Sequence, residues 1–257
     1  MMRLAIVGNG MAATRLIESL TGSAPGRFAI TVIGEEAQAA YNRIQLSPVL
    51  GGEKSADATR FHDDNWYVER GVTVLCGERV TAINLSARTL RTDRRQLEWD
   101  ELVFATGSRP YVPPIPGYDA PHVFTFRTLG DVDAILQTPG PVVVLGGGVL
   151  GVEAAAALRL ACDNVTLVHR GQWLMEQQLD EKAGWLLEQA LSERGIRCEL
   201  ASAITAISAQ SVTLNNACEV PATRVVLATG VIPTISLAKV CGLLRYRIRQ
   251  PFRCAVS

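Results

Sequence analysis

A strand, a glycine turn and a helix follow one another without a gap twice in this chain, and no other feature constrains the fold as tightly. Leu4–Val7 is a short apolar run that suits a buried parallel strand. It enters Gly8-Asn9-Gly10-Met11-Ala12-Ala13, a GxGxxA, and a helical pattern with Leu16, Ile17 and Leu20 on one face. Val142–Leu145 is a second such run, followed by Gly146-Gly147-Gly148-Val149-Leu150-Gly151, a GxGxxG, and a helix expected over Val152–Leu160. In this context the motif points to a dinucleotide. Gly8 allows the tight turn, Gly10 lets a pyrophosphate approach the backbone, and Ala13 is small enough for helix to meet strand. The helix N-terminus then offers N–H groups and a positive dipole end to the phosphates.

The ends of the neighbouring strands refine this. Phe28–Ile33 ends at Gly34-Glu35-Glu36, where a carboxylate can accept from an adenosine ribose. Val165–Val168 ends at His169-Arg170, where a cation can pair with a 2′-phosphate, so the second site is expected to accept NADPH. Further strands are expected at Val72–Leu75, Val80–Leu85, Thr89–Thr92, Leu102–Ala105, Ile196–Leu200, Ala203–Ile207, Val212–Leu214 and Val225–Ala228. Helices are expected over His62–Arg70, Asp131–Leu136 and from Asp180, as a cap, to Arg194, with Gly195 ending the last. Three prolines in Tyr111–Gly117 mark a stiff domain boundary.

The two halves also match outside the glycine loops. Glu69-Arg70-Gly71-Val72 is answered by Glu193-Arg194-Gly195-Ile196, and Val80-Thr81-Ala82-Ile83 by Ile204-Thr205-Ala206-Ile207. Val103 to Gly107 is answered by Val226 to Gly230, each closing on Ala-Thr-Gly. Unrelated dinucleotide domains would not share an ordered set of matches. The expected fold is therefore α/β, with two Rossmann-like dinucleotide-binding domains of three-layer ββα type. Two such sites suggest two dinucleotides meeting head to head, with hydride passing from a nicotinamide to a flavin. The cofactors carry that chemistry, and no acid–base triad or catalytic side chain is expected.

Bulk properties narrow the classes. With 25 basic and 25 acidic residues the formal charge is zero, which gives no reason to expect a nucleic-acid surface or a polybasic membrane patch. No apolar run approaches the ~18 residues of a membrane span, and the N-terminus does not read as a secretory signal. A cytoplasmic protein is expected. The six cysteines form no CxxC or CxxxxC and, with three histidines, no metal-ligand cluster. Their apolar neighbours suggest buried free thiols.

GNGMAA, ATGSRP, GGGVLGVEAA and ATGVIP together resemble the FAD-dependent pyridine nucleotide-disulfide oxidoreductase superfamily. AYNRIQLSPVL and LMEQQLDEKAG are similar to the flavoprotein end of NAD(P)H-dependent, assimilatory nitrite reductase large subunits. The resemblance covers residues 3–243. It implies that the first loop binds FAD through Gly8, Gly10, Met11 and Ala12, with Glu35 on the ribose, Arg43 along the cofactor and Val80 against the adenine. Thr106 and Gly107 mark the exit from that domain, and Gly230 lies in the matching Ala-Thr-Gly. The nicotinamide nucleotide, NAD(P)H, then lies on Gly146, Gly148, Leu150, Gly151 and Glu153. The implied domains are residues 1–112 for FAD, 113–226 for NAD(P), and 227–257 as the start of a return to the FAD domain.

Two departures from the family shape the expectation. No cysteine precedes Cys76, so electrons leave the flavin directly and not through a dithiol. The family's late Gly-Asp segment is not found, and Leu244–Ser257 has no family pattern, so the FAD domain is expected to be incomplete at its C-terminal end. The implied role is an electron-input module from NAD(P)H via FAD to an iron–sulfur/sirohaem nitrite reductase centre. A free-standing NAD(P)H reductase of rubredoxin or ferredoxin, working on a small iron–sulfur protein, and a non-catalytic nucleotide-binding fragment are the alternatives. A homodimer is left open.

Overall fold

The computed structural model describes residues 1–162 and 164–243; the tail from Leu244, including Cys254, lies outside the described residues. In chain order the first half holds β1 (Met2–Val7), α1 (Met11–Ser23), β2 (Phe28–Gly34), α2 (Leu46–Leu50), α3 (Asp64–Glu69), β3 (Val72–Cys76), β4 (Val80–Asn84), β5 (Thr89–Thr92), β6 (Gln96–Glu98) and β7 (Glu101–Phe104). Then come β8 (Ser108–Pro110), β9 (Val123–Thr125), α4 (Leu129–Gln137), β10 (Val142–Leu145), α5 (Val149–Ala161), β11 (Val165–Val168), α6 (Glu181–Glu193) and β12 (Ile196–Glu199). The chain continues through β13 (Ile204–Ile207), β14 (Ser211–Leu214), β15 (Glu219–Pro221), β16 (Arg224–Leu227), β17 (Val231–Pro233) and α7 (Ser236–Val240). Two compact units result. One takes Met1–Ala40, Phe61–Gly107 and the chain from Pro233; the other takes Tyr41–Arg60 and Ser108–Ile232.

The first unit is three layers deep. Its parallel sheet runs β3-β2-β1-β7, with Val7 opposite both Ile33 and Phe104. Alternation along β1 divides the core. Leu4 and Ile6 pack with Ala13, Ile17 and Tyr67 of α1 and α3. Ala5 and Val7 pack with Val80 and Leu90 of the antiparallel sheet β4-β5-β6 and with Trp99 just after it. Ile6 and Ile17 are fully buried, each worth roughly 1.5–3 kcal/mol over an exposed side chain. α3 starts at Asp64 and not at His62, because the Asp63 carboxylate accepts from Trp66 N–H at 2.8 Å and caps it. β6 is an addition to the sequence reading. It carries one apolar residue, Leu97, between two polar ones, too little for a visible period.

The second unit repeats the plan. Its parallel sheet runs β12-β11-β10-β16-β9, and β13-β14-β15 form the antiparallel layer. Val142 and Val144 face α4 and α5, while Val143 and Leu145 face Ile204, Val212 and Leu214. β9, three residues long, was not legible in the sequence. It covers β16, which is buried throughout, whereas β7 ends its sheet among the described residues and stays partly exposed. α5 begins at Val149, three residues before the expected start, since Gly148 is its cap. Residues 41–60 lie inside the first domain of the sequence reading, yet they pack in the second unit: Tyr41, Leu46 and Leu50 share a core with Val132, Ile135, Ala154 and Leu158.

Arg224 is buried with no carboxylate paired to it among the described residues. Its guanidinium donates to the Ile135 carbonyl at 3.0 Å and the Gly140 carbonyl at 2.8 Å. Ile135 lies in the last turn of α4, where a cation meets the negative end of the helix dipole. The expectation of buried cysteines needs correcting. The five described cysteines form no disulfide with one another and are only half-buried, because they sit at element ends, in turns or on the edge strand β12. Burial and the nearby Glu188 and Glu199 carboxylates push the Cys198 thiol up to about 11.

Candidate functional site

Each glycine loop is built against its own Ala-Thr-Gly. Gly8 has φ +108°, and a Cβ there would lie 2.5 Å from the Ala105 carbonyl carbon. Gly146 has φ +121°, and its Cβ would lie 2.9 Å from the Ala228 carbonyl carbon. No L-residue with a side chain fits either place. Gly8 N–H donates to Ile33 O at 2.8 Å and Gly146 N–H to Val168 O at 2.9 Å, so both turns leave the sheet in the same way. The third small position differs. Ala13 is fully buried, while a Cβ at Gly151 would stand 2.8 Å from the Gly146 carbonyl carbon.

The next glycines do the opposite. Gly10 and Gly148 are the N-caps of α1 and α5, and neither offers a side-chain cap. A Cβ at either would meet nothing within 4 Å. Each loop therefore presents an uncapped helix N-terminus with open space above a glycine, which fits a pyrophosphate. Met11, Ala12 and Leu150 border these openings as exposed residues. Glu153 is exposed on α5 and accepts from the Ser47 hydroxyl at 3.1 Å.

The strand ends differ in charge. Glu35 follows β2 and is exposed, paired with Arg79 at 3.1 Å. Val80, the first residue of β4, is buried opposite Thr92. Arg170 follows β11 and is exposed. Arg43 lies in the second unit. It donates to Tyr41 Oη at 3.0 Å and to the Arg127 carbonyl at 2.9 Å, with its guanidinium over the Tyr41 ring. The structure thus brings Gly8, Gly10, Met11, Ala12 and Glu35 to one loop and strand end, and Gly146, Gly148, Leu150, Gly151, His169 and Arg170 to another. Arg43 is grouped with neither loop.

The threonines of the two Ala-Thr-Gly segments do something the sequence did not disclose. Thr106 Oγ1 donates to Thr234 O at 2.5 Å, and Thr234 N–H returns to Gly107 O at 2.9 Å. Thr229 Oγ1 donates to Tyr111 O at 2.6 Å, and Tyr111 N–H returns to Gly230 O at 2.9 Å. Each segment clasps one residue by both of its backbone polar groups. Gly107 and Gly230 turn through positive φ, at +61° and +99°, to aim their carbonyls. The repeat of Thr106 in Thr229 was visible; the clasped residues, Thr234 and Tyr111, carry no signal.

The second positions of the loops are also informative. Gly147 N–H donates to His169 Nδ1 at 3.1 Å, and Gly147 O accepts from Met175 N–H at 2.8 Å. A Cβ at Gly147 would lie 2.5 Å from His169 Cγ. In the first loop the sizes are exchanged. Asn9 carries the side chain, and a Cβ on the facing Gly34 would lie 2.8 Å from Asn9 Cβ. Neither amide atom of Asn9 has a hydrogen-bond partner, although both are buried.

Among the described residues no cluster of three or more His, Cys, Asp and Glu is placed to hold a metal, and no helix is long and apolar enough to cross a membrane.

Known proteins share this arrangement. The assimilatory nitrate reductase electron transfer subunit of Bacillus subtilis (strain 168) is 37% identical over 94% of this chain and 32% of its own length. The nitrite reductase [NAD(P)H] of the same organism is 35% identical over 94% of this chain and 31% of its own. The chain therefore spans about a third of the length of these curated relatives. Among solved structures, a covalent putidaredoxin reductase–putidaredoxin complex is 26% identical with a TM-score of 0.85, covering 94% of this chain and 61% of the other. The sequence model of the pyridine nucleotide-disulphide oxidoreductases matches residues 2–249. With both glycine loops, both Ala-Thr-Gly segments and nearly the whole chain inside that match, the protein belongs to the pyridine nucleotide-disulphide oxidoreductase family.

Proposed function

We propose that the unit opening at Met1 holds FAD and that the unit built on β10 holds NAD(P)H, making this chain an electron-input flavoprotein module. The observation that carries the reading is the duplicated constellation: in each unit an open glycine, Gly10 or Gly148, caps a bare helix N-terminus beside an Ala-Thr-Gly. When bound, the cofactor pair supplies hydride transfer from the nicotinamide and onward release of electrons. The chain's own work is to bind and orient. Gly10, Met11 and Ala12 receive one pyrophosphate, with Glu35 toward the ribose, Arg43 and Val80 as further FAD contacts, and Thr106 and Gly107 closing the loop. Gly148, Leu150 and Gly151 receive the other, with Glu153, Gly230, His169 and Arg170 at its borders.

The names of the relatives support an acceptor in nitrate or nitrite reduction; an iron–sulfur/sirohaem nitrite reductase centre as that acceptor, and cytoplasmic placement, are part of the same proposal. The likeness to a reductase captured with putidaredoxin favours a second reading, a reductase serving a separate small iron–sulfur protein. An anaerobic titration separates these. The chain is loaded with FAD and its absorption followed as NADH or NADPH is added. Bleaching of the flavin band is the expected outcome; a chain that takes up no FAD, or whose FAD does not respond, overturns the proposal. Adding a ferredoxin-type protein to the reduced sample then distinguishes the two acceptors: reoxidation by it favours the second reading.

A further inference from the structure

We infer that His169 is a positioning residue, a neutral latch that fixes the second glycine loop in its nucleotide-receiving shape. The inference rests on the reading of Gly146–Gly151 as the nicotinamide-nucleotide loop. Gly147 is held by both of its backbone polar groups, its carbonyl by Met175 N–H at 2.8 Å and its own N–H by His169 Nδ1 at 3.1 Å. The imidazole lies against the glycine so closely that no side chain could replace the hydrogen there. The histidine backbone is itself anchored, with its N–H on Glu199 O at 2.8 Å and its carbonyl accepting from Ser202 N–H at 3.0 Å. The ring therefore sets where Gly147 sits, and through it the open N-terminus of α5 one residue on.

An N–H can donate to Nδ1 only if that nitrogen carries a lone pair, so the proton of the neutral ring is on Nε2. Nε2 is buried and makes no well-formed hydrogen bond among the described residues. Protonation would place an Nδ1–H against the Gly147 N–H, donor facing donor, and open the latch. The surroundings resist that charge. Burial is the largest effect and holds the imidazole below the usual histidine range; Arg170 pushes the same way. Glu176 and the Trp173 backbone pull the other way but less than burial. Glu199, at the end of β12, spends its carboxylate on Arg197 at 2.5 Å, and the glycine loop has no ionisable side chain. The latch is thus closed at neutral pH and opens as the pH falls below the ordinary histidine value of ~6.5. The unfolded chain binds the proton more readily than the fold does, so the latch's contribution to stability is full above that value and is lost as pH falls through the folded one.

Two consequences follow for ligand choice. A closed latch is uncharged, so His169 gives no cation to a 2′-phosphate at neutral pH, and the exposed Arg170 is left to do so. The first loop has no counterpart, since Asn9 and Gly34 occupy the facing positions and neither titrates. FAD binding is an internal control.

The test is anaerobic calorimetric titration with NADH of the FAD-loaded chain, its flavin chemically reduced beforehand so that NADH binds without transferring hydride, between about pH 8 and about pH 5, either side of the ordinary histidine value. NADH is the probe because the 2′-phosphate of NADPH itself titrates near pH 6. NADH affinity should fall about tenfold or more across the range, a change of about 1.4 kcal/mol or more, while FAD affinity stays level. His169→Phe removes the acceptor and should bind NADH weakly at every pH. His169→Asn places Oδ1 where Nδ1 stood, an acceptor that does not protonate, and should recover affinity with no pH dependence. NADH binding that is level with pH in the unaltered chain, or a fall that persists in His169→Asn, overturns the latch alone. No NADH binding at any pH overturns the nucleotide reading and the latch with it.

Discussion

Gly8→Ala and Gly10→Ala add the same methyl group two residues apart, and the structure separates their effects. At position 8 the backbone has φ +108°, outside the range of L-residues, and the new Cβ would be 2.5 Å from the Ala105 carbonyl carbon and 3.0 Å from Thr106 N. The conformational penalty is about 1–2 kcal/mol, and forcing β1 away from β7 adds about 1–3 kcal/mol of overpacking. Together that is about 2–5 kcal/mol, or about 4–20 °C in Tm at ~2–4 °C per kcal/mol for a protein of this size. At position 10 the backbone is extended, with φ −124°, and the methyl meets nothing within 4 Å. The fold loses only the difference between glycine and alanine as an N-cap, about 0.5–1.5 kcal/mol. The same methyl now occupies the space through which a pyrophosphate approaches. FAD affinity should fall at least about tenfold, or ~1.4 kcal/mol.

The assay pairs thermal unfolding of each variant without cofactor with a fluorescence titration of FAD. Gly8→Ala should unfold well below the unaltered chain. Gly10→Ala should unfold near it and yet bind FAD poorly. Equal losses of Tm in the two variants would refute the geometric distinction. FAD affinity within about twofold of the unaltered chain in Gly10→Ala would refute the assignment of the opening to a phosphate.

Thr106→Val and Thr229→Val keep side-chain shape and remove one clasp bond each; urea unfolding should report a loss of about 1 kcal/mol per variant, and a loss indistinguishable from zero would deny the clasps any energetic role. Arg170→Gln should weaken NADPH binding about ten- to hundredfold with NADH binding kept, and an equal loss for both nucleotides would show that Arg170 does not face the 2′-phosphate. Alkylating the accessible thiols should leave NAD(P)H-to-dye activity intact, because the Cys198 thiol is pushed away from thiolate by burial and no described cysteine pairs with another. Activity lost in step with one modified cysteine would place a thiol on the electron route.

The fold was legible wherever its cause is local. Gly8 and Gly146 stand where a strand must turn sharply, Asp180 caps α6 by accepting from Ala183 N–H at 2.9 Å, and Gly195 ends that helix through φ +81°. Alternation along Leu4–Val7 and Val142–Leu145 is hidden by uniform hydrophobicity, yet burial on both faces is itself the sign of a central parallel strand. β6, β9 and β15 were missed because three-residue strands have no period and owe their place to a neighbour. The clasps were missed for a different reason. Thr106 and Thr234 are 128 residues apart, and the bond involves only the backbone of the second residue, so its side chain leaves no trace in the sequence.

The loops show how far a repeat can be read and where pairwise reasoning must take over. Each unit sets the second loop residue against the residue that ends the neighbouring strand, and the space between them holds one side chain. The first unit spends it on Asn9 and puts glycine at 34; the second puts glycine at 147 and spends it on His169. Read singly, Gly147 looks like one more flexible residue in a glycine run, and His169 like a strand-end cation waiting for a phosphate. Read as a facing pair, the surplus glycine in GGGVLG makes room for the larger residue that follows β11, and the compact Gly34 that ends β2 makes room for one in GNGMAA. The same steric rule that makes the halves alike therefore lets their chemistry differ. It leaves an uncharged amide beside the loop assigned to FAD, and a titratable ring on the loop assigned to the nicotinamide nucleotide.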